Sequence, residues 1–447
     1  MKLQLPDYVL DILNKLEKAG FESYVVGGAV RDILMGKEVY DWDFTTNATP
    51  EEILKIFPDG YYDNKFGTVG ISHPSSPNPY EITTFRKEFG YSDTRRPDKV
   101  EWGKTLKEDI ARRDFTINAM ALTAKGELID YYEGQKDLKR KIIRAVGNPD
   151  ERFSEDALRI MRAIRIAAEL GFTIEEKTLE AIKKNAALIN RIAKERVKEE
   201  LFKLLKSPHP YDGVLVFKNS GLMAEILPEM EKAFGVEQKS PGRHHIYDVG
   251  EHLLKSLKNC KSPDPLVRFA TLIHDIGKPA TYKKLTNGTI TFYNHEVIST
   301  KIAENISDRL KFSNEEREKL ITLVRWHQFT VDERQTDSAI RRFIRNVGKE
   351  NIEDMLALRV ADRLGGGAAE TSWRLEEFKK RLIEVQKEPF SVRDLKIDGD
   401  DVMKVLRLRS GPMVGEILNK LFKEVVEKQL DNTKEALAKR AKEISAS

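Results

Sequence analysis

Val25-Val26-Gly27-Gly28-Ala29-Val30-Arg31-Asp32, followed shortly by Asp41-Trp42-Asp43-Phe44-Thr45-Thr46, decides how the front of this chain is read. A β-prone run ends in two glycines, and a helix starts directly after them. Adjacent glycines let backbone N–H groups approach a phosphate, and a helix amino terminus adds a partial positive charge. Arg31, one turn into that helix, adds a guanidinium fork suited to phosphate oxygens. Asp41 and Asp43 lie two apart on a predicted strand, so they project to one face. Two neighbouring carboxylates repel unless a cation shares their site. Magnesium prefers one or two carboxylates together with water and substrate phosphates. A pair of such ions ~3.5–4 Å apart can stabilise both the attacking and the leaving oxygen of a phosphoryl transfer.

Around this stretch the first ~145 residues read as α/β. Leu3 to Ala19 has helical spacing that Gly20 can end. Thr49-Pro50-Glu51-Glu52 is a helix start with a threonine cap. Val69–Ile71 and Glu81–Phe85 read as strands, separated by a turn-rich segment from His73 to Pro79. Phe89 to Gly103 reads as a loop, and Ile110 to Leu122 returns to helical spacing. After Asn148-Pro149 the pattern is almost entirely helical: Glu151–Leu170, Glu175–Asn185, Lys194–Leu205 and Gly213–Asn219. A fresh start comes at Ser240-Pro241-Gly242. One β excursion is expected over Tyr282–Tyr293 around Asn287-Gly288, and another boundary falls near Pro389. The expected fold class is α+β. An α/β head over 1–148 carries a small mixed sheet, and helical regions follow over 149–235, 236–388 and 389–447.

The chain has 447 residues, 40% of them apolar and 33% charged, enough to build cores and too polar for a membrane protein. No stretch approaches the ~18 uninterrupted apolar residues of a spanning helix. The amino terminus has no long apolar block, so a secretory signal is not expected and the expected compartment is the cytoplasm. One cysteine, Cys260, excludes a disulfide framework and a cysteine-based zinc module. The net charge is only +4, yet Lys139 to Lys206 holds 17 basic and 11 acidic residues. That asymmetry fits either an anionic partner or a solvated helical face.

Gly27-Gly28-Ala29-Val30-Arg31-Asp32-x-Leu34-x-Gly36 with Asp41-x-Asp43-x-x-Thr46 resembles the first motif of the nucleotidyltransferase superfamily, and the head would then be polymerase-β-like. More narrowly it is similar to the bacterial tRNA nucleotidyltransferases and their relatives, the poly(A) polymerases. The resemblance implies that Asp41 and Asp43 hold Mg2+ and that Gly27, Gly28 and Arg31 bind the triphosphate. Arg112-Arg113-Asp114-Phe115-Thr116-x-Asn118-Ala119 is similar to the family's second motif and implies that Arg113 touches the nucleotide. Glu155-Asp156-Ala157-Leu158-Arg159, followed by Arg162 and Arg165, is similar to the nucleotide-selecting motif.

The chemistry of Asp156 and Arg159 fits base selection. Three apart on a predicted helix, they can point to one site. Cytosine and adenine each offer an amino donor beside a ring-nitrogen acceptor, which a carboxylate and a guanidinium complement. Uracil and guanine reverse that polarity and would leave buried charges unpaired, at about 1–3 kcal/mol each. Arg162 and Arg165 continue the spacing and reach either phosphates or solvent. In the family a flexible loop between the first two motifs takes part in the switch from C to A. Arg86 to Pro97 fills that place here, which argues against a C-only subtype.

The helical half carries a second constellation. His245, His274-Asp275 and Asp362 follow the order His … His-Asp … Asp. Their contexts, among them Leu272-Ile273-His274-Asp275-Ile276-Gly277-Lys278, look like the HD superfamily of metal-dependent phosphohydrolases. Imidazoles with carboxylates suit a transition metal such as Ni, Co or Mn. His295 and His327 can complete or enlarge the site. Hydrolysis of a phosphomonoester or a 2′,3′-cyclic phosphate is the implied activity. The tail, Leu395 to Asp401 and Ser410 to Leu418, resembles the end of longer bacterial members and implies contact with the tRNA elbow.

The expectation is therefore an enzyme that builds or repairs the 3′ CCA end of tRNA from CTP and ATP, without a template and with magnesium, its basic helices after residue 150 holding the acceptor stem. Two alternatives stay within the family: an A-only adding enzyme and a poly(A) polymerase. A third makes the HD-like site the main activity, with the head as a recognition module. A fourth is a non-catalytic RNA-binding protein, against which the retained carboxylate pair argues.

Overall fold

Helix α1 (Asp7–Lys18) has apolar residues at helical spacing, and Val9, Ile12, Leu13 and Leu16 are all buried against a sheet. The computed structural model describes residues 3–62, 67–72, 79–89, 99–238, 247–329, 335–386, 392–427 and 429–446. The head strands are β1 (Ser23–Val26), β2 (Asp43–Thr46), β3 (Tyr61–Tyr62), β4 (Thr68–Ile71), β5 (Tyr80–Thr84), β6 (Arg86–Phe89), β7 (Lys99–Trp102), β8 (Met120–Leu122) and β9 (Leu128–Asp130). Seven of them form one mixed sheet in the order β3-β4-β5-β2-β1-β8-β9, with β2 and β5 parallel. Between them run α2 (Gly28–Leu34), α3 (Pro50–Ile56) and α4 (Leu106–Ala111). One face of the sheet buries Val25, Phe44, Val69 and Ile82 with α1 and Ile53 of α3. The other buries Val26 and Ala121 against Leu106, Ile110 and Phe85. Helix α3 starts at a capping box in which Thr49 accepts from Glu52 N–H and Glu52 caps in return.

Three head expectations change. Ile110–Leu122 is not a helix: α4 ends at Ala111, a single 3-10 turn covers Thr116–Asn118, and Met120–Leu122 is strand β8 beside β1. Met120, Ala121 and Leu122 are buried on both faces, so they show no alternation from which a strand could be read. Residues 99–102, expected as loop, pair antiparallel with Arg86–Phe89. The remainder of that loop, residues 90–98, lies outside the described residues. Asp41 and Trp42 precede β2, and only Asp43 is in the strand.

After the head come α5 (Gly134–Arg140), a two-strand parallel pair β10 (Ile142–Ile143) and β11 (Thr173–Ile174), α6 (Pro149–Glu155) and α7 (Leu158–Leu170). Next are α8 (Glu176–Asn185), α9 (Lys194–Lys206), α10 (Pro210–Asn219), α11 (Leu222–Ile226) and α12 (Pro228–Glu231). The expected single helix Glu151–Leu170 is thus two. The break is at Asp156, whose backbone is extended at φ −137°, ψ 102°. Its carboxylate accepts from Leu158 N–H at 3.0 Å, which caps α7 in place of continuing α6. The following helices are α13 (Val249–Asn259), α14 (Pro265–Ile273), α15 (Lys278–Thr281), α16 (His295–Arg309) and α17 (Asn314–Trp326). The expected β excursion is the short pair Lys283–Lys284 and Ile290–Thr291. The expected boundary at Ser240-Pro241-Gly242 lies outside the described residues.

By compactness the chain divides into two units, Met1–Arg325 with Ala361–Ala368, and Trp326–Val360 with Ala369–Ser447. The second unit has α18 (Asp337–Val347), most of α19 (Ile352–Gly365), α20 (Trp373–Gln386), α21 (Gly399–Leu406), α22 (Pro412–Val426) and α23 (Lys434–Ala446). Phe329 packs on Phe343 and Phe378, with ring centroids 4.7 and 5.2 Å away. The last three helices enclose their own core of Val402, Ile417, Leu421 and Leu437.

Candidate active site

Gly27 sits at φ 76°, ψ −139°, a backbone conformation essentially closed to side chains. A Cβ added there would lie 3.1 Å from Asp43 Oδ2 and 3.3 Å from Arg113 Nη1. The turn backbone therefore presses against a carboxylate from β2 and a guanidinium from the end of α4. Trp42 is buried in the sheet core, edge-on to Tyr8 at 6.2 Å. Driving Trp42 inward turns the residues on either side of it, Asp41 and Asp43, away from that core. In β5 the partner of Asp43 is Glu81, so a third carboxylate shares this face. The sequence reading missed Glu81; only its place in a strand beside β2 could have flagged it.

The Asp43 carboxyl is raised to about 6: burial pushes it up most, Arg113 pulls it partly back, and Asp41 and Glu81 add to the rise. Carboxylates that repel one another, as Asp41 and Glu81 do Asp43, fit a hard divalent cation, whose charge would offset that repulsion. Arg113 is steadied by Asp109, a fully buried carboxylate that accepts from Arg113 at 3.4 Å, Arg112 at 2.6 Å and Thr45 Oγ1 at 3.2 Å. Burial alone would raise the Asp109 carboxyl; Arg112 and Arg113 hold it below the usual range.

Arg31 folds back over the glycine turn, its Nη2 being 3.5 Å from a Cβ built on Gly28. It pairs in fork geometry with Asp32, both bonds 2.9 Å, and donates from Nη1 to Asn118 Oδ1 at 2.9 Å. On α7, Arg162 makes two bonds to Asp114 Oδ2, at 2.9 and 2.6 Å.

The Asp156–Arg159 pair is not an i,i+3 helical pair, because Asp156 lies in the break ahead of α7. Arg159 is nearly buried and donates to Glu155 Oε2 at 2.7 Å and to the carbonyls of Arg152 and Arg112 at 3.2 and 2.9 Å. The Asp156 carboxylate is 3.8 Å from Arg196 on α9. Arg165 is held by Glu200 and Glu169, each at 2.7 Å, between α7 and α9.

The second constellation also converges. His252 on α13, His274 and Asp275 at the end of α14, and Asp362 near the end of α19 offer ligand atoms all within 4.8 Å of one another. His252 Nε2 is 3.3 Å from Asp275 and 3.2 Å from Asp362. His274 Nδ1 faces the Thr271 carbonyl at 2.8 Å, which turns Nε2 toward the cluster. Burial would lower the His274 imidazole, but Asp275 and Asp362 outweigh it and raise it to about 10. Two imidazoles and two carboxylates suit a transition metal. His245 lies outside the described residues; among them, the first histidine of the cluster is His252. Its signal was a histidine one turn into the helix that Asp248 caps. His295 adds its Nε2 at 3.1 Å from Asp275 Oδ1.

Among the described residues no helix is long and apolar enough to cross a membrane. Residues 23–144 match the family of poly A polymerase head domains, 171–234 the RNA and SrmB-binding site of polymerase A, and 290–441 tRNA nucleotidyltransferase domain 2. The CCA-adding enzyme of Ligilactobacillus salivarius (strain UCC118) is 36% identical over 440 residues, covering 97% of this chain and 96% of that one. The crystal structure of the Bacillus stearothermophilus CCA-adding enzyme in complex with CTP superposes with a TM-score of 0.71 at 27% identity, covering 99% of this chain and 98% of that one. The Thermotoga maritima CCA-adding enzyme complexed with tRNA-CCA shares the fold, with a TM-score of 0.62 at 20% identity over 100% of this chain and 99% of that one. Likeness that runs from one end of the chain to the other, and is not confined to a borrowed head, decides between the relatives considered: the chain belongs to the family of CCA-adding enzymes.

Proposed function

We propose that the chain extends the 3′ end of tRNA by C, C and A, taking CTP and then ATP and releasing pyrophosphate at each step. The observation that carries this reading is the meeting of Asp43 and Arg113 over the glycine turn at Gly27. In each step the terminal ribose hydroxyl attacks the α-phosphorus, the bond to the bridging oxygen breaks, and the charge moves onto pyrophosphate. When bound at Asp41 and Asp43, with Glu81 beside them, Mg2+ supplies a lowered hydroxyl pKa and charge neutralisation at the phosphates. The chain's own part is to place and pair. Gly27 and Gly28 let the backbone come close to the triphosphate, Arg31 supplies fixed donors to it, and Arg113 approaches the reacting phosphate from the Asp109 side. Asp156 and Arg159, with Arg162 and Arg165 behind them, line the base pocket. Three of the five N–H donors of Arg159 go to protein groups, two from Nη1 and one from Nη2, so a base is met by its remaining donors or by exchange of one of those bonds. Residues 1–148 act as the catalytic head, 149–235 as the nucleotide- and RNA-holding neck, 236–388 as the HD-like region and 389–447 as the tail that meets the tRNA elbow.

The His252–His274–Asp275–Asp362 cluster supports a second, separate metal centre with phosphomonoester or 2′,3′-cyclic phosphate hydrolysis as its chemistry. Inactivity after loading with nickel, cobalt or manganese would remove that part of the reading.

Primer extension on a tRNA lacking its last three nucleotides tests the main activity. Growth by two with CTP alone, and by three with CTP plus ATP followed by a stop, is the expected result. Addition of a single A only to a CC-ended tRNA, or a long ATP ladder, would overturn it.

A further inference from the structure

Asn118 has no role in the reading above, yet it joins two of its parts. Its side-chain oxygen accepts from Arg31 Nη1 at 2.9 Å, and its side-chain NH2 donates to Asp114 Oδ1 at 3.3 Å. Asp114 in turn holds Arg162 through its other oxygen. One unbroken chain of hydrogen bonds thus runs from the arginine over the glycine turn, through Asn118 and Asp114, to the arginine on α7. The orientation of the amide is set by chemistry. Flipped, it would point NH2 at a guanidinium and oxygen at a carboxylate, and both contacts would be repulsive. Asn118 is buried on the 3-10 turn that leads into β8, so the backbone holds it in place. A carboxamide here joins a cation to an anion without adding charge of its own. An aspartate would face Asp114, and an apolar residue would leave both neighbours short of a partner.

We propose that Asn118 is a positioning residue. It locks Arg31 in its triphosphate-facing orientation and ties that orientation to Arg162 on the base side of the pocket. This rests on the nucleotide pocket assigned above. Arg31 keeps its charge and its Asp32 partner when Asn118 is altered, but loses the third point that fixes its plane. The triphosphate end of the nucleotide then binds less tightly, whichever base it carries.

The test is a double-mutant cycle on the full-length protein, read by equilibrium binding of CTP, ATP and inorganic pyrophosphate, and by steady-state addition to tRNA. Wild type comes first: if it binds neither CTP nor ATP, the pocket assignment fails and not this inference. Expected for Asn118→Ala is a rise of about 10-fold in Kd for all three ligands, a matching rise in KM, and kcat within ~3-fold. Binding of tRNA alone is unchanged. In an Arg31→Ala background the same substitution adds less than ~2-fold, because its effect passes through Arg31. Full additivity with Arg31→Ala would overturn the proposal, as would a lowered Tm with nucleotide and pyrophosphate affinities intact. Should Asn118→Ala not fold, Asn118→Ser, which keeps a small polar group, is carried through the same cycle under the same criteria.

Discussion

Asp43 is ionised against its surroundings, with burial and two neighbouring carboxylates holding its carboxyl near 6. A divalent cation held there, as proposed, would compete with protons for its carboxylate oxygens. The apparent cation affinity in nucleotide addition should be flat above pH ~7 and weaken toward ~10-fold per unit below about 6. A metal titration of the initial rate at several pH values checks this, and an affinity unchanged from pH 7 to 5 would count against it. Asp114 shows the opposite shift. Burial alone would raise its carboxyl, but Arg162 and then Arg159 bring it down to about 2. A carboxyl more acidic in the folded chain than its unfolded value of ~3.9 adds stability above that value. The contribution fades as pH falls from ~4 toward about 2. Asp114→Asn should flatten that part of the Tm–pH curve and cost about 1–3 kcal/mol at neutral pH, the partial exposure of Arg162 moderating the loss.

Among the elements, the glycine turn is the least tolerant. Gly27→Ala would place a methyl against Asp43 and Arg113 at a positive φ, costing about 1–3 kcal/mol in backbone strain alone. Addition should fall by ~10²-fold or more, with Tm lower by only a few degrees. Comparable losses of fold and activity would mean that the turn is merely structural. The turn and the strand of Asp43 were legible because two glycines and alternating polarity leave marks in single residues. The break at Asp156 was not. Phe153, Ala157, Ile160 and Ile164 keep helical spacing straight through it, and all four are buried. What interrupts them is one carboxylate capping the next helix, a local choice that periodicity does not record. Strand β8 was hidden for a related reason: buried on both faces, it carries no alternation. Position 252 was passed over because its partners come from distant segments, and its one local mark, a place one turn after the capping Asp248, does not reveal them. Glu81 needed the β2–β5 pairing before it could be placed beside Asp43.

At the scale of the molecule, two centres of different chemistry share one chain, oxygen-rich in the head and nitrogen-and-oxygen in the helical half. They should be separable. Asp43→Asn should depress CCA addition by on the order of 10²–10³-fold while leaving metal content at the histidine cluster unchanged. His274→Ala should remove that bound metal and leave CCA addition within ~2-fold. Metal analysis beside primer extension on both variants reads this directly, and a variant that loses both properties together would join the two centres. The order of their parts along the chain differs as well. Every residue assigned to the nucleotide pocket has appeared by Arg165, whereas the histidine cluster waits for Asp362, which the short segment Ala361–Ala368 returns to the first unit after the chain has left it. On the ribosome the head can therefore mature early, by domain-wise folding from the amino terminus. The histidine cluster is completed only once Asp362 has emerged, so a nascent chain gains its nucleotide pocket well before that second set of ligand atoms can converge.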